Sequence, residues 1–191
     1  MAMKISVGFS TTNTFFAKAV RFFTNSTISH TYIRFYDKTF KTHLILHSDF
    51  GGVQFSLGDR FDSENIVMYE YVINDPRLDE ALTANLWHLN KNYHYRKISS
   101  WMWMIVLKRW FVRKLKDPIP IGNPKKLICT DFVLYILNRA KITKIDIGSM
   151  TPEDLLKWFE ENYKDMNWKK VVRSDEPKTF LTYIKEFLDG D

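Results

Sequence analysis

Five strand-like runs crowd the first 73 residues of this chain: KISVGF, then Ile28 to Tyr36, Thr42 to Ser48, VQFSL and IVMYEYVI at 66–73. Each is short, rich in β-branched and aromatic residues and bounded by polar or glycine-containing turns. Beyond Asp75 helical patterns dominate. Strands early and helices late predict an α+β architecture. The chain has 191 residues, 45% of them hydrophobic and 16% aromatic, which is enough for a sizeable core in one domain spanning 1–191. No internal repeat or low-complexity tract interrupts it.

The helices are readable from caps and spacing. TTNTFFAKAVRFFT offers Thr12 or Asn13 as N-cap, with Phe15, Ala19, Phe22 and Phe23 on the packed face. Asp75-Pro76 opens a helix expected to run to about Lys91, and KLICTDFVLYILNRA holds one from Cys129 to about Ala140. TPEDLLKWFEENY has Thr151 as cap, Pro152 at the first helical position and acids in the first turn. WKKVV then reads as a strand and PKTFLTYIKEFL as a terminal helix. The segment ISSWMWMIVLKRWFVRKLK, residues 98–116, is too short and too basic at its end to span a bilayer. A buried helix with a basic exit is the expected form, an interfacial helix its rival.

Lysine and arginine exceed the acids to give a net charge of +6. Such a surface tolerates anionic partners and leaves room for peripheral contact with an anionic membrane or cell-wall polymer. The charges are spread, with no basic block or nucleic-acid motif, so nucleic acid is not an expected partner. One cysteine excludes an internal disulfide and a multi-cysteine zinc site. MAMKISVGFSTTN lacks the apolar core of a secretory signal, and no run of eighteen apolar residues occurs. A cytoplasmic chain, as synthesised, is the expectation.

Cys129 falls at the start of its helix, where first-turn N–H groups and the helix dipole favour thiolate over thiol. His30 lies far upstream in the strand-like ISHTYIRFY; brought beside the thiol, it would complete a nucleophile-plus-base unit. Alternatively, Cys129 is simply a buried core residue. A hairpin turn centred between Lys38 and Thr39 would pair Tyr36 with Lys41, Arg34 with His43, and His30 with His47. A second histidine there would fix the tautomer and orientation of the first. A metal site using His30, His47 and Asp49 is the rival reading, without a helical His-x-x-x-His or a dense ligand cluster behind it. His43, His88 and His94 read as surface or structural residues. Gly8, Tyr93 and Tyr95 have no role that spacing assigns.

The order of these parts resembles a known group. TFFAKAVRFFTNSTISHTYIRF is similar to the opening of the permuted NlpC-type papain-fold cysteine hydrolases, in which a small helix precedes a Ser-His pair at the start of a strand. LHSDFGGVQFSL resembles their next element, KLICTDFVLYILNRA their nucleophile helix, and TPEDLLKWF the proline-containing helix that often follows. The resemblance covers roughly residues 1–160. It implies a circularly permuted papain-like fold, an antiparallel sheet packed with helices, and a peptidase or amidase that needs no cofactor. Cys129 would be the nucleophile, His30 the general base, and His47 the orienting residue where many relatives carry glutamate. Implied substrates are cell-wall peptides, isopeptides or lipid esters. A lipid-directed acyltransferase and an inactive binding module on the same scaffold are the alternatives.

Overall fold

The computed structural model describes residues 4–49, 52–85, 128–148 and 150–173. In chain order these form β1 (Ile5–Thr11), α1 (Phe15–Thr24), β2 (His30–Asp37), β3 (Thr42–Asp49), β4 (Gly52–Leu57), α2 (Gly58–Glu64), β5 (Ile66–Ile73) and α3 (Pro76–Ala84). There follow α4 (Cys129–Arg139), α5 (Pro152–Asn162) and β6 (Lys169–Val172). The strands make one antiparallel sheet in the order β4-β3-β2-β1-β5-β6, so the architecture is α+β. The Trp-rich segment, His88, His94, Tyr93, Tyr95 and the terminal helix expected from the sequence lie outside the described residues. Among the described residues, no helix is long and apolar enough to cross a membrane.

β1 is buried along its whole length because both sheet faces are covered. On one face Ile5, Val7 and Phe9 join Ile33, Phe35 and Leu46 against apolar residues of α3, α4 and α5, among them Leu82, Phe132, Leu137 and Phe159. On the other face Tyr32, Ile45 and Val67 pack beneath Phe61 of α2. α5 starts where the sequence places it: Thr151 and Asp154 form a reciprocal capping box and Pro152 takes the first turn. Its acid Glu153 also accepts from the Ser26 hydroxyl at 2.7 Å, fastening the α1–β2 link to the helix.

The second face is organised by an absence. Gly8 is flanked by Tyr32 on β2 and Glu70 on β5, and a Cβ on it would sit 2.0 Å from Tyr32 Cζ. The phenol therefore lies flat across β1, and its hydroxyl donates to Glu70 Oε1 at 2.8 Å. Glu70, 2% exposed, also receives Arg173 at 2.8 Å and has Arg34 Nε 2.6 Å away, an ion-pair contact without hydrogen-bond alignment. Arg34 in turn grips Asp62 of α2 through both terminal nitrogens. A buried carboxylate is tolerated here because cations and a hydroxyl surround it.

Several expectations need correction. The β2–β3 hairpin pairs Asp37 with Thr42, Tyr36 with His43, Arg34 with Ile45 and Tyr32 with His47, one residue later in turn centre than the symmetric turn. The cause is the Asp37 side chain: Oδ1 accepts from the N–H groups of Thr39 and Phe40 at 2.8 and 2.9 Å, and Lys41 adopts a left-handed φ of 51°. The cap of α1 is Thr14, which accepts from Ala17 N–H, rather than Thr12 or Asn13. Ala17 is buried while Phe15 is 88% exposed, so the packed face of α1 is rotated from the expected one. The helix after Asp75 ends at Ala84. Helix α2 has no counterpart in the sequence reading; GDRFDSE holds one large apolar residue, and its attachment comes from Phe61 and Asp62.

Gly8→Ala is expected to cost about 3 kcal/mol, combining overpacking with loss of a hydrogen bond to a charged group; urea unfolding checks it, and a midpoint equal to wild type would discard the account of Gly8. Burial, then the Glu70 carboxylate, holds the Tyr32 phenol well above its ordinary value. The unfolded chain releases that proton near pH 10, the folded chain only higher. The stability linked to this group is therefore complete below about pH 10 and falls as pH climbs toward the folded value. Tyr32→Phe is expected to flatten the decline in urea midpoint between about pH 9 and 11, although Tyr71, raised by its own burial and by Glu160, contributes a remaining slope.

Candidate functional site

The two histidines meet despite the changed register. His30 opens β2 opposite Ser10, and His47 sits on β3 opposite Tyr32, two residues along from the pairing expected. Diagonal neighbours on one face remain within reach of long side chains. Their rings stand at 89° with centroids 5.3 Å apart, and Nε2 of His30 lies 3.2 Å from Nδ1 of His47. His47 Nε2 is 3.0 Å from Ser56 Oγ on β4. The result is a chain of three polar groups, Ser56, His47 and His30.

Phe61 wedges this chain in place, with ring centroids 5.3 Å from His47, 6.3 Å from His30 and 4.7 Å from Tyr32. Its helix is held by the Arg34–Asp62 pair. Beside the rings opens a cleft of about 510 Å³, into which His30, His47 and Ser56 face together with Thr14, Phe16 and Gln54. Among the described residues no group of three metal-binding side chains assembles. The facing nitrogens of the two histidines are engaged with each other, not aimed at a common ion.

Cys129 is the first residue of α4 and is buried, 5% exposed as a residue. The residue before it, Ile128, is the N-cap and supplies no side-chain acceptor to the first turn, unlike Thr151 at α5. The sulfur faces the N–H and hydroxyl of Thr31 and lies 3.9 Å from the Thr130 hydroxyl. Burial pushes the thiol above its ordinary value, while the Thr31 N–H and the two hydroxyls pull the other way. Thr31 belongs to the β2 face that carries Ile33 and Phe35, whereas His30 turns with Tyr32 and Arg34 toward α2. The structure thus brings His30 to His47, and Cys129 to the residue next to His30. The thiol's hydrogen-bonding neighbours are threonines; the imidazole is not among them.

His43 stacks at 5.3 Å on Tyr36 at the far end of the hairpin and is exposed, as a surface histidine. Gly8 serves packing under Tyr32, not the cleft. Thr31, Ser56 and Phe61 escaped the sequence reading. Alternation along VQFSL does put Gln54 and Ser56 on one face, but only the β3–β4 register turns that face toward His47.

With one N–H per neutral ring, the contacts tie the two tautomers together. If His47 donates from Nε2 to Ser56, its Nδ1 accepts and His30 carries Nε2–H; the reverse direction puts Nδ1–H on both. Long-range nitrogen–proton NMR of the rings is expected to find the same tautomer at His30 and His47, with the preference weakened in Ser56→Ala. Opposite tautomers in wild type would rule out the relay.

No protein-family model matches this sequence, and neither does any curated protein.

Proposed function

We propose that this chain is a cysteine hydrolase of the permuted papain-like, NlpC type, cutting an amide bond in a peptide or isopeptide through Cys129, with His30 as base and His47 as orienting residue. The observation that carries the reading is the seating of a helix-first thiol on Thr31, the residue next to His30 in β2, with His30 itself joined to His47 and through it to Ser56. The imidazole and the threonine that the sulfur faces, His30 and Thr31, are consecutive residues of β2. A rotamer change at Cys129, which leaves the His30–His47 contact in place, is the step that joins the sulfur to the imidazole.

Once joined, His30 Nδ1 takes the thiol proton and the thiolate attacks the carbonyl carbon, forming the C–S bond. N–H groups of the first turn of α4 stabilise the oxyanion. His30 returns its proton to the amide nitrogen as the C–N bond breaks, leaving a thioester. Water, deprotonated by His30, then displaces the sulfur and regenerates the thiol. While His30 is charged, its Nε2–H is held by His47 Nδ1, and His47 donates onward to Ser56.

The cleft favours a peptide over a lipid phosphate. Its polar lining is made of neutral groups such as Thr12, Thr14, Ser29, Gln54 and Asn65, and the Arg60 charge is matched by Glu64 at 3.0 Å. A second reading, a binding module on the same scaffold with Cys129 as packing, is favoured by the burial of the thiol and its threonine neighbours.

A p-nitrophenyl ester separates the two. The hydrolase reading expects an acyl adduct on intact protein, absent in Cys129→Ala, with acylation slowed about a hundredfold or more in His30→Ala. Absence of any adduct, or an adduct indifferent to His30, favours the binding module.

A further inference from the structure

Among the buried residues of its helix-facing side, β2 is apolar except at Thr31. Ile33 and Phe35 fill it with hydrocarbon, and Phe9 lies opposite Thr31 on β1. Thr31 is 0% exposed, and its Oγ1 makes no well-aligned hydrogen bond, although a valine would occupy the same space. A hydroxyl buried without a partner is costly, and a strand interior normally avoids it. Here it is set against one sulfur, at the head of an eleven-residue helix whose N-cap provides no side-chain acceptor. A neutral thiol is a poor acceptor; a thiolate is a strong one.

We infer that Thr31 is a catalytic residue of the Cys129 site: its hydroxyl and backbone N–H form a preformed cradle for negative charge on the sulfur, completed by the Thr130 hydroxyl and the first turn of α4. The orphaned hydroxyl is then satisfied when the thiol ionises, and the cradle offsets the burial that otherwise holds the thiol neutral. The titratable groups adjacent in the chain are His30, the residue before Thr31, and Asp131, in the first turn of α4. Thr31, by contrast, acts by a hydrogen bond that no titration removes. The catalytic meaning of the cradle rests on the hydrolase reading; the cradle itself rests on the placement of Thr31.

The chain has a single cysteine, so thiolate absorbance near 240 nm, taken as the difference from Cys129→Ala, follows one group and needs no reagent to reach it. Thr31→Val is expected to raise the ionisation midpoint by about one pH unit, a tenfold loss of thiolate below it. Thr31→Ser and Thr31→Ala share the same missing methyl, so the comparison between them isolates the hydroxyl even if the valine variant folds poorly. Serine is expected to titrate near wild type and alanine to follow valine. Equal titration of the serine and alanine variants, with urea midpoints showing both folded, overturns the proposal. His30→Ala in the same titration keeps the two readings apart. A midpoint moved by Thr31 but not by His30 leaves the cradle and removes the dyad, and the opposite pattern does the reverse.

Discussion

Tyr32 lying across Gly8 to reach Glu70 is the contact on which the site-bearing face of the sheet depends. It spans three strands with one side chain, and it is allowed only because the central position has no Cβ. Glu70, once buried, needs positive charge, and receives Arg173 and Arg34. Arg34 has a second partner in Asp62, which draws α2 down onto the sheet. Helix α2 then delivers Phe61 to the rings of Tyr32, His47 and His30. A missing side chain at the centre of the sheet is thus connected, through one carboxylate and one guanidinium, to the orientation of two histidines. The network is buried and ionic, so its completeness matters more than any single pair: removing one partner of such a set costs about 3–5 kcal/mol because a charge is left alone.

The strand β2 carries two chemistries on its two sides. Period-two alternation sends His30 toward α2 and Thr31 toward α4, so the imidazole relay and the thiol are neighbours in the chain but belong to different faces. That arrangement buries the thiol against threonines while His30 is held by His47. Burial works against ionisation; helix dipole, N–H and hydroxyl work for it. Which side prevails in solution decides between an enzyme and a scaffold.

Much of the fold was legible because it rests on local rules. The capping box of Thr151 and Asp154, the Asp75-Pro76 helix start and the 66–73 strand each satisfy their backbone groups with nearby side chains or obvious periodicity. The differences fall where one turn side chain or a distant group decides. Asp37 moved the hairpin by accepting two turn N–H groups, and α2 formed on GDRFDSE because Arg34 and the ring cluster hold it. Phe15 has the spacing of a core residue, yet it is exposed and Ala17 is buried instead.

By itself, the sequence determined an α+β chain with Cys129 at a helix start and His30 within a strand, since caps, turns and hydrophobic period are properties of neighbouring residues. Tertiary structure alone decided that His30 meets His47 on the diagonal, that Ser56 and Phe61 complete that group, and that the thiol rests on Thr31. Those contacts join residues of separate strands and helices. Their geometry follows from the register that the local Asp37 turn sets and from the space left open at Gly8, which only the approach of Tyr32 from the neighbouring strand gives a meaning.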